Sequence, residues 1–304
     1  MKIIDAHHHF WDPERNYHPW LRDEPMIPFR YGDYSAIRGR FMTSEYDDAA
    51  ERWDVVANVT MEGEWDPTDP IGEALWIQKL ADEKGRPAAH VAQAWLDRAD
   101  LSAVLEVIAL LPLVKSVRHK PRANPKPGGA PGGMTEDAFR AGFKAVANAG
   151  LMFDLQTPWW HLAEVPSMAD HAPEMPIILN HTGLPADRSP EGLAGWRAAI
   201  VEFSRLPQTF VKISGLGQRG RPWTLEENRD IIRKTIDIFG PTRAMFASNF
   251  PVDGLCGSFD TIFSGFDAAT TDFTGSERHA LFMGTAARVY GIETEPFLHD
   301  GRTT

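Results

Sequence analysis

The sequence predicts an α/β protein with the architecture of a (β/α)8 TIM barrel. Eight short apolar runs alternate with longer amphipathic segments along the chain. Most of these runs are continuously apolar, which is typical of strands in a parallel sheet that is covered on both faces. The length of 304 residues suits a barrel formed by one domain. We therefore predict a single domain over residues 1–304.

The strands and helices of this barrel can be assigned in chain order. The predicted strands cover residues 3–10, 55–62, 88–96, 114–120, 151–156, 176–181, 210–214 and 243–249. The predicted helices cover residues 72–84, 101–110, 136–149, 192–205, 225–239 and 276–290. Two of them begin with a capping box, Thr224 with Glu227 and Thr274 with Glu277. An open doubly wound sheet is the alternative, but no Gly-x-Gly-x-x-Gly motif follows any predicted strand, which weakens a dinucleotide-binding version of it.

The composition excludes several classes of partner. The chain has 31 Lys and Arg against 42 Asp and Glu, a formal charge of −11, so we expect it to bind neither nucleic acid nor an anionic membrane surface. No apolar run approaches the roughly 20 residues of a membrane span, and the first residues lack the pattern of a signal peptide. Cys256 is the single cysteine, so no intrachain disulfide is possible. These features favour a cytoplasmic protein with a small-molecule substrate, and either a monomer or a homodimer is compatible with them.

Two long loops are predicted at the catalytic face of the barrel. Residues 12–48 follow the first strand and should fold over the mouth of the barrel. Residues 122–134 follow the fourth strand, and their proline and glycine content prevents a helix or a strand. This second loop could be a disordered connector, but its position favours a lid or a substrate-binding loop.

A block of three histidines ends the first predicted strand. Because alternate side chains of a strand share a face, His7 and His9 should point the same way as Asp5, and His8 should point the other way. Two imidazoles at this spacing can hold one metal ion or polarise one carbonyl. A terminal tag is the other reading, but the block follows a strand-like segment and precedes Phe10 and Trp11 directly.

Polar side chains occur at the ends of nearly all the predicted strands, where the catalytic groups of barrels lie. His181, Asn249 and Asp253, near the ends of strands six and eight, are candidate catalytic residues. The candidate substrate-binding residues are Trp11, Glu62, Gln93, Arg118, His119, Lys120, Arg122 and Asp154.

Several of these candidates also have a simpler interpretation. Arg118, Lys120 and Arg122 could form a solvated edge, but their position in an acidic protein favours an anion clamp for a carboxylate substrate. Glu62 could have no role beyond pairing with this cluster, and Asp154 could merely brace a lysine.

Five motifs in this order resemble the amidohydrolase superfamily, in the branch called amidohydrolase family 2. They are residues 4–11 (IDAHHHFW), 117–119 (VRH), 179–183 (LNHTG), 211–215 (VKISG) and 246–252 (FASNFPV). This branch includes sugar-acid lactonases such as fuconolactonase, and 2-pyrone-4,6-dicarboxylate lactonase. The resemblance implies a TIM barrel in which His7, His9 and His181 bind one divalent metal, zinc or manganese, or polarise the scissile carbonyl without a metal. It also implies that the basic residues after strand four hold a carboxylate or hydroxyls of the substrate.

The sequence departs from the family pattern at the end of strand eight. The family usually has Ser-Asp there, with the aspartate as general base or metal ligand, whereas this chain has Ser248-Asn249. An asparagine can coordinate through its carbonyl oxygen but cannot take a proton from water near neutral pH. We therefore expect weakened metal binding and a base that has moved, either to Asp253 or to His181.

The leading functional hypothesis is a hydrolase that opens a lactone of a small carboxylated or hydroxylated molecule with activated water. A metal-dependent decarboxylase of an aromatic or unsaturated acid is the alternative, and release of carbon dioxide would distinguish it. A third hypothesis is a non-catalytic barrel that binds a small acid and has lost its base at Asn249.

Overall fold

The computed structural model describes residues 1–294 and confirms the (β/α)8 barrel. Its sheet has eight parallel strands, each paired with the next along the chain. They are β1 (Lys2–His8), β2 (Asp54–Met61), β3 (Ala89–Gln93), β4 (Val114–His119), β5 (Met152–Leu155), β6 (Ile177–Leu179), β7 (Thr209–Ile213) and β8 (Ala244–Phe246). Residues 295–304 of the predicted domain lie outside the described residues.

The α-helices occur mainly between successive strands, as predicted. They are α1 (Pro19–Arg22), α2 (Thr43–Ala50), α3 (Gly72–Lys84), α4 (Leu101–Ile108), α5 (Asp137–Asn148), α6 (Val165–Ala169), α7 (Pro190–Ser204), α8 (Leu225–Phe239), α9 (Phe259–Ala269), α10 (Gly275–His279) and α11 (Thr285–Tyr290). The predicted helix over 276–290 is interrupted by a π-helical turn at Ala280–Gly284. Helix α7 begins two residues earlier than predicted because Ser189 caps it, accepting the Gly192 amide at 3.0 Å, and Pro190 suits the first turn.

The two predicted capping boxes have different outcomes. At Thr274 both arms form, since the Glu277 carboxylate also accepts the Thr274 amide at 2.8 Å. At Thr224 only the hydroxyl arm forms, with the Glu227 amide at 3.4 Å. The carboxylate of Glu227 forms an ion pair with Arg221 instead, so the second prediction holds only in part.

Strand β1 departs from simple alternation. Its pairing with β2 shifts register between Asp5 and His8, and such a bulge puts two successive residues on related faces. As a result Asp5 and His8 both contact Tyr46, whose hydroxyl donates to Asp5 at 2.9 Å and whose ring lies 4.6 Å from that of His8. The prediction that Asp5 shares a face with His7 and His9 is therefore wrong, whereas the opposite orientation of His8 is as predicted.

Strands β8 and β1 meet through a short seam that closes the barrel. The Asn249 amide donates to the His7 carbonyl at 2.7 Å, and the His9 amide donates to the Phe250 carbonyl at 2.7 Å. The seam therefore fixes the backbone of two histidines and of Asn249 relative to one another.

Two apolar clusters hold the barrel together. The larger one lies between the sheet and the surrounding helices, and the smaller joins strand residues such as Met61, Val91 and Met245 to Met283 and Tyr290. None of the helices among residues 1–294 combines the length and the apolar character needed to cross a bilayer.

Candidate active site

Three histidines converge at the carboxyl ends of the strands. The ring centroids of His7 and His9 lie 5.3 Å apart, and those of His7 and His181 lie 4.5 Å apart. All three are buried, with at most 5% of their surface exposed. The structure thus brings together the residues that the sequence analysis selected as candidate ligands or catalytic groups.

The hydrogen bonds of these rings define what each can do. Nδ1 of His9 lies 3.2 Å from the Met61 carbonyl, so Nδ1 carries the proton and Nε2 keeps its lone pair. Nδ1 of His181 lies 2.9 Å from the hydroxyl of Ser214. Both ring nitrogens of His7 are buried without a partner among the described residues. Buried imidazole nitrogens in this state are suited to a ligand, a substrate or a water molecule.

Burial keeps the three imidazoles neutral. It lowers the pKa of His7, His9 and His181 well below the usual 6.5, and neighbouring positive charges such as Arg118 lower the pKa of each further. A neutral imidazole can accept a proton or bind a metal ion, which a protonated imidazole cannot do.

Two residues of the site have left-handed backbone conformations. His181 has φ of +55° and Asn249 has φ of +56°, a region that is costly for residues other than glycine. Gly215 approaches the His181 ring so closely that a Cβ at residue 215 would lie 2.6 Å from Cγ and Nδ1 of His181. The backbone conformation at residue 181 and the close approach of Gly215 therefore fix the orientation of the His181 imidazole.

Asn249 and Asp253 are both buried and are joined by a hydrogen bond. The amide nitrogen of Asn249 donates to Oδ1 of Asp253 at 2.7 Å, and the Tyr31 hydroxyl donates to the same oxygen at 2.8 Å. Burial raises the pKa of Asp253. Asn249 lines the cavity beside His181, whereas Asp253 does not. The carboxylate therefore fixes the amide so that the Asn249 carbonyl oxygen is left for the cavity.

The candidate site lies in a cleft that consists of two adjoining cavities. The central cavity, of about 260 Å³, is lined by His9, Trp11, Arg30, His181 and Asn249 among others. The second, which we call the aromatic cavity, has about 430 Å³ and includes Trp20, Trp65, Trp95, Gln93 and His119. Four charged residues border both cavities: Glu62, Glu64, Arg118 and Lys120.

The basic residues after β4 each have an acidic partner. Arg118 donates from Nε to Glu62 at 2.5 Å, and both side chains are buried. Burial raises the pKa of Glu62, but the charges of Arg118 and Lys120 outweigh this and hold it low. Lys120 is paired with Glu64, and Arg122 with Glu136. Each of the three cations proposed as an anion clamp therefore has an acidic partner, and Glu62 pairs with this cluster, as its simpler interpretation holds.

Two predicted substrate-binding residues lie away from the cleft. Arg122 has 68% of its side chain exposed and lines neither cavity. Asp154 is fully buried in the barrel, 2.9 Å from Lys212, and accepts hydrogen bonds from Asn180 and Tyr290. Its simpler interpretation, bracing a lysine, is the one that fits this position.

The remaining candidates do border the cleft. The ring of Trp11 lines the central cavity, and its Nε1 is bonded to the Gly39 carbonyl at 3.0 Å. His119 stacks on Phe139 with centroids 5.0 Å apart, and its Nδ1 accepts the Leu96 amide at 3.2 Å. That ring is held by the scaffold and presents one edge to the cavity.

The loop of residues 122–134 is anchored by one carboxylate. Glu164 accepts the amides of Gly132, Gly133 and Met134 at 2.6 to 3.1 Å. His161 connects Glu164 to another part of the loop: its Nδ1 lies 3.0 Å from the Glu164 carboxylate, and its Nε2 accepts the Asn124 amide at 3.3 Å. The loop is thus fixed at its base among the other loops of the catalytic face.

Sequence reasoning missed several residues that shape the site. Ser214 and Gly215 follow β7, and the strand-end rule that selected the other candidates could have selected them. Trp20 and Arg30 lie in the long loop after β1, where no periodicity signals which side chains turn inward.

Comparison with known proteins identifies the family to which this chain is similar. The family model described as amidohydrolase matches residues 4–292. An uncharacterised protein of Sinorhizobium fredii is 38% identical over 96% of this chain and 99% of its own length. An L-fucono-1,5-lactonase of Burkholderia multivorans is 39% identical over 38% of this chain and 43% of its own length.

Solved structures agree on the fold. An amidohydrolase from Burkholderia multivorans with bound zinc superposes with a TM-score of 0.78 at 24% identity, covering 96% of this chain and all of that one. A putative 2-pyrone-4,6-dicarboxylic acid hydrolase from Pseudomonas putida gives 0.72 at 20% identity, covering 96% and 98%. The match of the family model over residues 4–292 shows that this chain is a hydrolase that belongs to the amidohydrolase family.

Proposed function

We propose that the protein hydrolyses a lactone, the cyclic ester of a small hydroxylated or carboxylated molecule. The observation that carries this proposal is the convergence of three neutral imidazoles, two of which, His9 and His181, line a cavity of about 260 Å³. The partial likeness to an L-fucono-1,5-lactonase supports an ester bond as the target. A hydrolase needs a base for water and donors for the developing oxyanion, and both kinds of group border this cavity.

His181 is our candidate for the base. With Nδ1 bonded to Ser214, its Nε2 can take a proton from water as the water oxygen attacks the lactone carbonyl. The same proton then passes to the ring oxygen as the carbon–oxygen bond breaks, which yields a hydroxy acid. Asn249 orients the water through its carbonyl oxygen, since its nitrogen is bonded to Asp253. Asp253 is in this scheme a positioning residue.

Arg118 is our candidate for the group that stabilises the oxyanion. It borders both cavities, and its pairing with Glu62 fixes the direction of the guanidinium. His9 cannot polarise a carbonyl directly while neutral, because its single N–H faces Met61. His9 therefore serves as an acceptor or as a ligand.

The donor chemistry of the site fits one divalent metal. Imidazole nitrogens suit zinc, and those of His7 have no other partner among the described residues. As the side chains lie, no group of three or more His, Cys, Asp or Glu within residues 1–294 is arranged to hold an ion, so binding would require the rings to adjust. Held by His7, His9 and His181, zinc or manganese would supply Lewis-acid polarisation of the carbonyl. The lone pair on Nε2 of His181 would then bind the metal ion and could not serve as the base.

The experiment compares wild type with His181→Ala in a pH-stat assay on a panel of aldonolactones. We expect a loss of at least about 100-fold in kcat, with circular dichroism and melting temperature showing a folded protein. His171→Ala, which alters an exposed histidine, serves as the control and should keep full activity. Activity retained by a folded His181→Ala protein would remove His181 from the mechanism.

Metal content is measured on the same preparations by plasma mass spectrometry, with and without chelator. About one zinc or manganese per chain with chelator-sensitive turnover would assign the imidazoles as ligands. Turnover that survives chelation would assign them to direct contact with substrate and water. Carbon dioxide release is recorded in parallel, because it would indicate the decarboxylase instead.

A further inference from the structure

A third cavity beside the central one concentrates positive charge. It has a volume of about 510 Å³ and is bordered by segments that follow β1, β4, β5, β6 and β7. Three arginines line it, Arg30, Arg188 and Arg219, and none of its lining residues is an aspartate or a glutamate. Arg30 is paired with the buried Asp253 at 3.7 Å, so Arg188 and Arg219 are the cations of this cavity that have no ion pair among the described residues. We call it the arginine cavity. In a chain with a formal charge of −11, such a grouping of cations indicates an anion-binding site.

Arg188 provides the most specific evidence. Its Nη2 donates to the Leu216 carbonyl at 3.1 Å and to Oδ1 of Asn228 at 3.2 Å, and both of these acceptors are neutral. Its Nε and Nη1 are buried without a hydrogen-bond partner among the described residues. Burial lowers the pKa of Arg188 to about 10, so the guanidinium is still charged at neutral pH. Charged donors left unpaired in this way are costly, and an anion would satisfy them.

The other two arginines approach the same space from different loops. Arg219 packs against Gly32, where a Cβ would lie 3.2 Å from the Arg219 Nε. Arg30 borders both the arginine cavity and the central cavity. Trp160 also lines the arginine cavity, and its Nε1 is buried without a partner in residues 1–294.

The arginine cavity is continuous with the catalytic groups. Gly215 lines it and lies against the ring of His181, which borders the central cavity. A molecule whose carbonyl reaches His181 could therefore extend past Arg30 towards Arg188. On the opposite side of the cleft Arg118 and Lys120 are each neutralised by a glutamate, so that side offers no comparable surplus of positive charge.

We propose that the arginine cavity binds a carboxylate of the substrate while the lactone carbonyl lies at His181. The inference rests on the proposed lactone hydrolysis and narrows its substrate class to lactones that carry a free carboxylate. Arg188 supplies the principal contact and Arg219 adds charge, whereas the charge of Arg30 is shared with Asp253. A separate anion that binds in the arginine cavity without reacting would make the same contacts with the arginines. The test therefore has to distinguish a substrate carboxylate from such an anion.

The first arm measures binding without turnover. Succinate is titrated against the full chain while tryptophan fluorescence is recorded, with succinamide as the neutral control. Arg188→Gln should weaken succinate binding about tenfold, Arg188→Lys less, and Arg219→Gln about threefold. Arg205→Gln, which changes an exposed arginine paired with Glu202 on α7, should have no effect. Because Arg219 is exposed, its variant keeps the test valid even where Arg188→Gln fails to fold.

The second arm measures turnover of two lactones with the same ring, one neutral and one carrying a carboxylate. We expect Arg188→Gln to raise KM about tenfold for the carboxylated lactone alone, with kcat unchanged. Weakened succinate binding with unchanged KM would overturn the substrate assignment in favour of a separate anion. Equal succinate binding by wild type and both variants would overturn the site itself. If the wild type opens no lactone, the proposed function fails, while the succinate arm still decides whether the cavity binds anions.

Discussion

At the scale of single residues, the orientation of the His181 imidazole depends on Gly215. A Cβ added there would lie 2.6 Å from Cγ and Nδ1 of His181, which is inside any normal contact distance. The imidazole would have to move away from Ser214, and a displacement of about 1 Å can cost about 100-fold in rate. We therefore predict that Gly215→Ala lowers kcat/KM by about 10- to 100-fold in a protein that still folds.

Gly150→Ala is the matched control for this prediction. Gly150 also has a positive φ, +74°, but a Cβ there meets nothing within 4 Å. Both variants should lose about 1–2 kcal/mol of stability from backbone strain, measured by urea unfolding, while only the first should lose activity. Equal kcat/KM for the two variants would show that the contact with His181 is unimportant.

The residues of the site were predictable from sequence only where strand position decides orientation. His7, His9 and His181 lie together because strand ends converge in a barrel. Asp5 was misplaced because a bulge, which has no sequence signature here, shifts the register of β1. Sequence alone left Asp154 open between substrate binding and bracing a lysine, because its partner Lys212 lies 58 positions away in the chain and is brought to 2.9 Å only by the fold.

At the scale of secondary-structure elements, the ends of β2 and β4 are joined by the buried pair of Glu62 and Arg118. Replacing Glu62 with glutamine leaves the Arg118 charge buried without its counterion. Breaking a buried pair in this way costs about 3 kcal/mol or more. We predict this loss of unfolding free energy for Glu62→Gln at pH 7, measured by urea denaturation.

The same pair predicts a dependence on pH. Burial raises the pKa of Glu62, but the neighbouring cations outweigh it, so the folded pKa lies below the ordinary 4.5. The pair therefore contributes its stability above pH 4.5 and loses it as the pH falls through the folded pKa. The difference between wild type and Glu62→Gln should shrink as the pH is lowered below 4.5.

Glu136→Gln is the control for this pair. Glu136 is paired with Arg122 on the surface, so its loss should cost under about 1 kcal/mol at any pH. A deficit of Glu62→Gln that stays constant from pH 7 down to the start of acid unfolding would contradict the assignment of an ionised Glu62.

Among the elements, the long helices were predictable and several of the short ones were not. Helices α3 and α8 have the predicted bounds at both ends. Helix α2 begins inside the predicted loop of residues 12–48 and ends two residues beyond it, and it has only eight residues, six of them charged or hydroxylated. Its Tyr46 nevertheless supports β1 through Asp5, so an element that the sequence did not reveal helps to position the histidines.

At the scale of the whole molecule, the alternation of strands and helices predicted the barrel but not how it closes. Seven strand pairs form parallel ladders, whereas β8 meets β1 through a few bonds around His7, His9 and Asn249. The closing seam and the catalytic groups therefore occupy the same backbone. Stability and activity should be coupled there, because the contacts that close the barrel also set the relative positions of these residues.

Ser248 tests this coupling, because its side chain bonds both sides of the seam. Its hydroxyl donates to Asp5 at 2.6 Å and accepts the Phe250 amide at 3.0 Å. Ser248→Ala leaves a buried carboxylate oxygen and a buried amide each short of a partner, which costs about 3 kcal/mol. We predict a fall in melting temperature of roughly 5–10 °C, together with a lower kcat/KM measured well below that temperature.

Ser204→Ala is the control for Ser248→Ala, because the Ser204 hydroxyl donates to the Val201 carbonyl of the same helix, α7, at 2.8 Å. Its melting temperature should stay within about 2 °C of the wild type, because surface changes of this kind alter stability by roughly 0.5 kcal/mol or less. If Ser248→Ala has the same melting temperature as Ser204→Ala and keeps full activity, the hydrogen bonds of Ser248 do not close the barrel. A large fall in melting temperature with unchanged kcat/KM would show instead that the seam supports the fold without setting the geometry of the site.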